Sequence, residues 1–249
     1  MRTVAVVGVV GALALSVAGG AQVEVKTGVF LFSPGQKIAL ELTGDDPCPC
    51  ACGTIYVQGF SVRNSSGGVV YVDTALPYPV AAGAWTGRWD LAVDGTPVEA
   101  GDYTLLVETS LGLFAAGIRV VLPGGAPAGW GEAEATVCGI GLRVYRLVEE
   151  DNAGSSVSLR VGEHLMVALP GNPTTGFEWE PVEKPAALTR LPGVDYRPRP
   201  GPIVFGGGGT FYFRYRATAP GAGDLSFAYR RPWEAAPPGR TFSILVTVR

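Results

Sequence analysis

The chain is organised around a short stretch in its second half, Gly171-Asn172-Pro173-Thr174-Thr175-Gly176-Phe177. Pro173 fixes its own φ at about −65° and biases Asn172 toward an extended backbone. The two threonines are β-branched and have restricted rotamers, while Gly176 permits the positive φ that a sharp turn requires. This stretch is therefore predicted to be a stiff, uncharged loop between two strands.

Apolar residues alternate with polar ones on both sides of this loop. Such alternation is typical of strands with one buried face, as the sheets of a β-sandwich require. The alternating segments are 142–147, 157–161, 165–169, 177–180, 211–215, 225–229 and 242–248, and a further strand is expected around 202–205. The second half therefore predicts an Ig-like sandwich. The one histidine, His164, falls opposite Leu165 and Val167, which predicts a solvated strand residue rather than a catalytic base.

Three unusual loops connect these predicted strands. One is the stiff loop, one is a run of four glycines at 206–209, and one carries Arg231-Pro232-Trp233. Because successive strands of a sandwich run antiparallel, alternate loops lie at the same end. Trp and Arg are enriched in binding hot spots, so this end is predicted to bind a protein.

In order and position, these motifs resemble the loops of the chagasin family, Ig-like inhibitors of papain-like cysteine peptidases. The resemblance covers essentially all of residues 140–249, including Val161-Gly162-Glu163 before the second predicted strand. It implies a reversible, non-covalent inhibitor that is not an enzyme and needs no cofactor or metal. The stiff loop would block the catalytic cysteine, the glycine loop would follow the non-primed cleft, and the third loop would pack on the primed side. The implied peptidase-binding residues are Asn172, Pro173, Thr174, Thr175, Gly176, Phe177, Gly206, Gly207, Gly208, Gly209, Arg231, Pro232 and Trp233.

Taken singly, each motif also has a simpler interpretation: a tight strand connection, a flexible glycine tip, or a tryptophan folded into the core. A phosphate site is not indicated, because the glycines lack the lysine of a Walker sequence. The rival function is an exported tandem Ig-like binding or adhesion module that holds a non-peptidase ligand. Enzyme activity is not predicted, since the sequence shows no carboxylate pair, histidine-based triad or firm metal cluster.

The first half of the chain predicts a second sandwich over residues 22–122. Alternating segments occur at 37–42, 54–57, 69–72 and 117–121. Trp89-Asp90 before a turn and Gly101-Asp102-Tyr103 at the start of a strand resemble late strands of bacterial Ig-like and fibronectin-like modules. This pattern predicts a fold without a function. A Pro- and Gly-rich linker is expected over 123–139, followed by the inhibitor domain over 140–249.

Residues 1–21 have the features of a secretory signal peptide. One positive charge precedes an apolar run at 4–17, and small residues follow it. The run is too short to span a bilayer, although a retained membrane anchor is the alternative. The expected product is a secreted or periplasmic protein without membrane association after cleavage. The fold class predicted for the whole chain is all-β, two tandem Ig-like sandwiches after a cleaved signal peptide.

Charge separates the two halves. Residues 22–139 contain 5 basic and 12 acidic side chains, while 140–249 contain 13 and 10. The net charge of −3 is too mild to indicate a nucleic-acid partner, and nothing in the sequence fixes the oligomeric state.

Four cysteines, Cys48, Cys50, Cys52 and Cys138, are the remaining feature. An even number in an exported chain favours disulfides, and four cysteines allow three pairings. A bridge between residues two apart is cramped, which favours Cys48–Cys52 with Cys50–Cys138. A thiolate site for a soft metal ion is the alternative.

Overall fold

The regular structure in the described part of the protein is mainly β-strand, which confirms the predicted all-β class. The chain separates into two compact units, Met1–Val144 and Tyr145–Arg249. The computed structural model describes residues 13–16, 22–25, 30–33, 36–44, 55–73, 78–80, 86–109, 112–121, 135–137, 140–193, 195–199 and 206–249. The four cysteines, most of the predicted signal peptide and linker, and the strand expected around 202–205 lie outside these residues. Within them, no helix has the length and apolar character needed to cross a membrane.

The first unit is a two-layer sandwich. Its strands are β1 (Leu13–Ser16), β2 (Gln22–Val25), β3 (Phe30–Phe32), β4 (Lys37–Gly44), β5 (Ile55–Asn64), β6 (Val69–Asp73), β7 (Tyr78–Val80), β8 (Thr86–Trp89), β9 (Ala92–Val93), β10 (Thr96–Pro97), β11 (Gly101–Thr109), β12 (Gly112–Val120) and β13 (Ala135–Val137). The strand β11 pairs antiparallel with β5 and β12, while β4 pairs with β8 in a second layer. Side chains from both layers form one core, which includes Leu40 of β4 and Leu105 of β11.

The Trp and Tyr motif of the first half supports this core. The ring of Trp89 is 2% exposed and meets the Tyr103 ring edge-on, with 5.7 Å between centroids. The Tyr103 hydroxyl donates a 2.8 Å hydrogen bond to the carbonyl of Glu99. A tyrosine that bonds back to the backbone just upstream is a known corner device of Ig-like sandwiches.

The second unit, Tyr145–Arg249, contains two packed sheets. Its elements are β14 (Ile140–Glu149), of which residues 145–149 belong to this unit, a 3-10 helix (Glu150–Asn152), β15 (Ser156–Leu159), β16 (His164–Gly171), a second 3-10 helix (Pro173–Thr175), β17 (Glu178–Glu183), β18 (Leu188–Leu191), β19 (Tyr196–Pro198), β20 (Gly209–Ala217), β21 (Gly221–Arg230) and β22 (Arg240–Val248). One sheet has the order β14–β16–β20, with β18 and β19 both paired to β20, and the other has the order β15–β22–β21–β17.

The alternating apolar sets predicted from the sequence form the core between these sheets. Phe213 of β20 meets Phe227 of β21 with 4.6 Å between ring centroids, and Phe227 meets Phe242 of β22 at 6.1 Å. Not every strand was predicted: β18 and β19 occupy a region that the alternation had not marked. The segment predicted at 157–161 became β15, which pairs parallel with β22 in the sheet opposite β14.

The structure corrects the prediction for His164. Its side chain is 8% exposed rather than solvated, and it meets the Tyr145 ring edge-on at 5.7 Å. Both faces of β16 are buried over His164–Leu169, so the alternation identified the core face without showing that the other face is covered as well.

Tyr215 in β20 generates a prediction about alkaline stability. Burial, the largest cause, raises the pKa of its hydroxyl from 10.0 to about 12, and this hydroxyl has no hydrogen-bond partner among the described residues. Between about pH 10 and 12 the unfolded chain therefore binds fewer protons than the folded protein, and stability falls as pH rises. We expect Tyr215→Phe to shift stability at pH 7 by less than about 1 kcal/mol.

The same variant should lose less stability than the parent between pH 9 and pH 11. Urea unfolding followed by circular dichroism at these pH values measures the difference. An equal loss in parent and variant would show that ionisation of Tyr215 does not contribute to the alkaline decline.

Candidate functional site

The stiff loop is a single 3-10 turn closed by its own hydrogen bonds. The side chain of Asn172 accepts hydrogen bonds from Thr174, from the backbone N–H at 3.1 Å and from Oγ1 at 2.7 Å. The Oγ1 of Thr175 donates to the Asn172 carbonyl at 2.7 Å, and the Gly176 N–H donates to the Pro173 carbonyl at 2.9 Å. Gly176 ends the turn with φ 81° and ψ −1°, a left-handed conformation that favours glycine. These bonds fix the backbone shape of the loop.

Asn172 also connects this loop to its surroundings. Its Nδ2 donates a 2.8 Å hydrogen bond to the carbonyl of Gly206, in the glycine loop. Its backbone N–H donates to the hydroxyl of Tyr229 at 2.7 Å. One residue therefore joins the stiff loop to the glycine loop and to strand β21.

The four glycines have different environments. Gly206 and Gly207 are exposed, and Gly208 is partly buried beside the carbonyl of Gly171. Gly209 differs from the prediction, because it is the buried first residue of β20 rather than part of the loop surface. A Cβ at Gly209 would overlap the carbonyl of Arg197, so close packing of the backbone explains this glycine.

The third loop reaches back to the stiff loop through Arg231. Its Nε donates to the carbonyl of Thr175 at 3.1 Å, and its Nη1 lies 2.7 Å from the carboxylate of Glu234. The guanidinium also lies over the ring of Phe177, 4.8 Å from its centroid. Arg231 is thus held by three intramolecular contacts.

Trp233 is not folded into the core, because 69% of it is exposed. One edge of its indole covers Gly176, where an added Cβ would lie 2.6 Å from the ring. Pro232 beside it is exposed as well. The structure therefore brings the predicted residues of all three loops together in one surface, with Gly209 beneath it. We call residues 172–177, 206–208 and 231–233 the three-loop surface.

An aromatic stack supports this surface from below. Phe177 stacks on Tyr229 with 5.3 Å between centroids and 26° between planes, and Trp179 meets Tyr229 at 5.1 Å. The guanidinium of Arg240 lies over the rings of Tyr229 and Trp179, 4.4 Å and 5.2 Å from their centroids. The sequence pattern had assigned Tyr229 only to the core face and gave no signal for Arg240.

Two arginines beside the three-loop surface are paired with carboxylates. The Arg230 guanidinium lies 2.6 Å from the Glu180 carboxylate, and that of Arg240 lies 2.9 Å from Glu150. Exposed pairs of this kind contribute about 0–1 kcal/mol each, so they balance charge more than they stabilise the fold. Among the described residues, no group of three or more His, Cys, Asp or Glu side chains could hold a metal ion. The surface presents fixed backbone, small side chains and one indole, which suits a binding module of the Ig-like class.

Comparison with known proteins identifies the family. Residues 158–248 match the family described as Chagasin family peptidase inhibitor I42. Amoebiasin-1 of Entamoeba histolytica is 34% identical over 101 residues, which is 40% of this chain and 96% of that protein. Chagasin of Trypanosoma cruzi is 34% identical over 90 residues, 34% of this chain and 81% of that one. The chain belongs to the chagasin family through this second unit.

Solved structures align with a similar share of the chain. The cysteine protease inhibitor EhICP2 from Entamoeba histolytica matches with 20% identity and a TM-score of 0.38, over 41% of this chain and 94% of that one. PbICP-C, solved in complex with falcipain-2, matches with 21% identity and a TM-score of 0.32, over 41% of this chain and 98% of that one.

The contact between Gly176 and Trp233 can be tested with a matched pair of substitutions. Gly176→Ala and Gly206→Ala both place a side chain at a positive φ, 81° and 80°, so each should lose about 1–2 kcal/mol of stability. Only the Cβ at Gly176 meets the indole, since no atom of the described residues lies within 4 Å of a Cβ at Gly206. We therefore expect the indole N–H resonance of Trp233 to shift in Gly176→Ala and to stay in place in Gly206→Ala. An unshifted resonance in folded Gly176→Ala would contradict the contact.

Proposed function

We propose that this protein is a reversible inhibitor of papain-like cysteine peptidases, which occludes the active-site cleft with the three-loop surface. The observation that carries the proposal is the direct bonding between the loops. Asn172 joins the first to the second, and Arg231 joins the third to the first. A surface already assembled in the free protein loses little conformational entropy on binding, which favours tight association.

The geometry of the stiff loop supports inhibition without cleavage. Hydrolysis requires the carbonyl oxygen of the attacked bond to enter an oxyanion hole, where preorganised donors stabilise it. In this loop the carbonyl oxygens of Asn172, Pro173 and Thr175 already accept hydrogen bonds from within the protein. These three carbonyls would therefore already be engaged when the loop fills the cleft. The proposed activity is binding rather than turnover.

Trp233 is the expected anchor of the complex. A large, rigid indole that is 69% exposed before binding can bury much surface with little loss of side-chain entropy. We expect Trp233→Ala to weaken papain inhibition by about 2–4 kcal/mol, roughly 30- to 1000-fold, mainly through faster dissociation.

The measurement compares dissociation rates from papain for the parent, Trp233→Ala and a control, Val182→Ala. Val182 in β17 is 67% exposed, so its truncation also removes apolar surface but outside the three-loop surface. Melting curves establish that each variant is folded. An unchanged dissociation rate for folded Trp233→Ala would remove the third loop from the interface. A parent that leaves papain fully active would contradict inhibition and favour the rival binding module.

We also propose that the protein is exported and that the leader is removed at or near Gln22. The support is the order of features in residues 1–21: a positive residue, a short apolar run and small residues. We expect mass spectrometry of exported material to give a chain that begins near Gln22 and therefore lacks β1 (Leu13–Ser16). Exported protein that retains residues 1–21 would contradict cleavage and favour the membrane anchor.

A further inference from the structure

Arg240, the first residue of β22, lies outside the three loop motifs but contacts the base of the stiff loop. Its Nη2 donates a 2.8 Å hydrogen bond to the carbonyl of Pro170, two residues before Asn172. Its Nη1 donates to the carboxylate of Glu150 at 2.9 Å. A planar guanidinium can hold two such acceptors while its face lies on an aromatic ring, which the ammonium of a lysine cannot do.

The ring under that guanidinium belongs to Tyr229, whose hydroxyl acts on the loop itself. The centroid of the ring is 4.4 Å from the Arg240 guanidinium carbon, and the hydroxyl accepts the backbone N–H of Asn172 at 2.7 Å. The Pro170 carbonyl accepts a second hydrogen bond, from Nε1 of Trp179 at 3.1 Å. The chain on the entry side of the loop is therefore held at Pro170 and at Asn172 by side chains from β17, β21 and β22.

We infer that Tyr229 and Arg240 are positioning residues for inhibition, a statement that rests on the proposed function. Tyr229 fixes the backbone of Asn172, from which the bonds to Thr174 and Gly206 begin. Arg240 fixes the Tyr229 ring and the Pro170 carbonyl. Their role is to hold the loop in its binding shape before the peptidase arrives, and they do so without belonging to the three-loop surface.

Arg240 acts through its stacking on the Tyr229 ring and its hydrogen bond to the Pro170 carbonyl. Its ion pair with Glu150 does not contribute to positioning. The side chains of Arg240 and Glu150 are 40% and 47% exposed, and water screens such a pair strongly. The chain supplies a matched control in Arg230, whose side chain is 48% exposed and pairs with Glu180 at 2.6 Å. Among the contacts of the described residues, Arg230 lies over no aromatic ring and bonds to no loop carbonyl.

The test compares five variants of the full chain: Tyr229→Phe, Arg240→Met, Arg240→Lys, Glu150→Gln and Arg230→Met. Tyr229→Phe keeps the stacked ring and removes the hydroxyl, which accepts from the Asn172 N–H at 2.7 Å and donates to the Asn172 carbonyl at 3.5 Å. We expect it to raise the dissociation constant for papain about tenfold, as the loss of one well-placed hydrogen bond does. Arg240→Met should raise this dissociation constant to a similar extent. Arg240→Lys should bind papain as weakly as Arg240→Met, although lysine keeps the charge. The dissociation constants of Glu150→Gln and Arg230→Met should remain within about twofold of the parent value, because exposed ion pairs contribute little free energy.

A second measurement separates positioning from a general loss of stability. Amide hydrogen exchange of Asn172, followed by NMR in the free protein, should be about tenfold faster in Tyr229→Phe, where its acceptor is gone. Exchange of core amides in β20 should not change. The positioning role is wrong if exchange at Asn172 is unchanged in Tyr229→Phe. It is also wrong if Arg240→Lys binds papain as tightly as the parent, or if Arg230→Met weakens binding as much as Arg240→Met does. If the parent does not inhibit papain, the proposed function fails, and the exchange rate of the Asn172 amide in Tyr229→Phe and in Arg240→Met then decides whether these two residues hold the loop.

Discussion

The side chain and backbone of Asn172 make the hydrogen bonds that tie one end of the second sandwich together. The carboxamide accepts from Thr174 through Oδ1 and donates to the Gly206 carbonyl through Nδ2. An amide supplies both functions at once, whereas an ionised aspartate only accepts. Aspartate could therefore close the turn but would repel the Gly206 carbonyl and release the glycine loop. This requirement explains the asparagine more specifically than turn preference does, because aspartate caps a turn equally well.

Gly176 meets two separate constraints, and only one could be predicted from the sequence. A sharp turn into the next strand implied a positive φ, and the structure gives 81°. The second constraint is the indole of Trp233, which leaves no room for a Cβ. That contact joins residues far apart in sequence, so no local pattern contains it. The same reasoning applies to Arg231, which the motif marked as a binding residue, while its Nε donates to the carbonyl of Thr175, 56 positions away.

The strands were predictable where one face is buried and the other is not, since burial on one side imposes period two on the sequence. The sets around Leu165, Phe213, Phe227 and Ile244 follow that rule and form the observed core. The rule fails for β16, where His164 is buried opposite the core face. The rule also gives no information about the hydroxyl of Tyr229. The ring of Tyr229 follows the alternation, but its hydroxyl accepts a hydrogen bond from the backbone of Asn172, 57 positions away.

The parts of the three-loop surface differ in how firmly the rest of the protein holds them. The stiff loop and Arg231 are held by internal bonds, so a partner need not supply the free energy to order them. Trp233 contacts Gly176 and remains 69% exposed, which places unburied apolar surface beside a fixed frame. A frame that fixes the position of the indole beforehand reduces the conformational entropy that is lost when a partner buries this surface. The aromatic stack of Phe177 and Tyr229 under Arg240 supplies that frame, and so the interior of the sandwich, as much as the loops themselves, determines the shape that a partner meets.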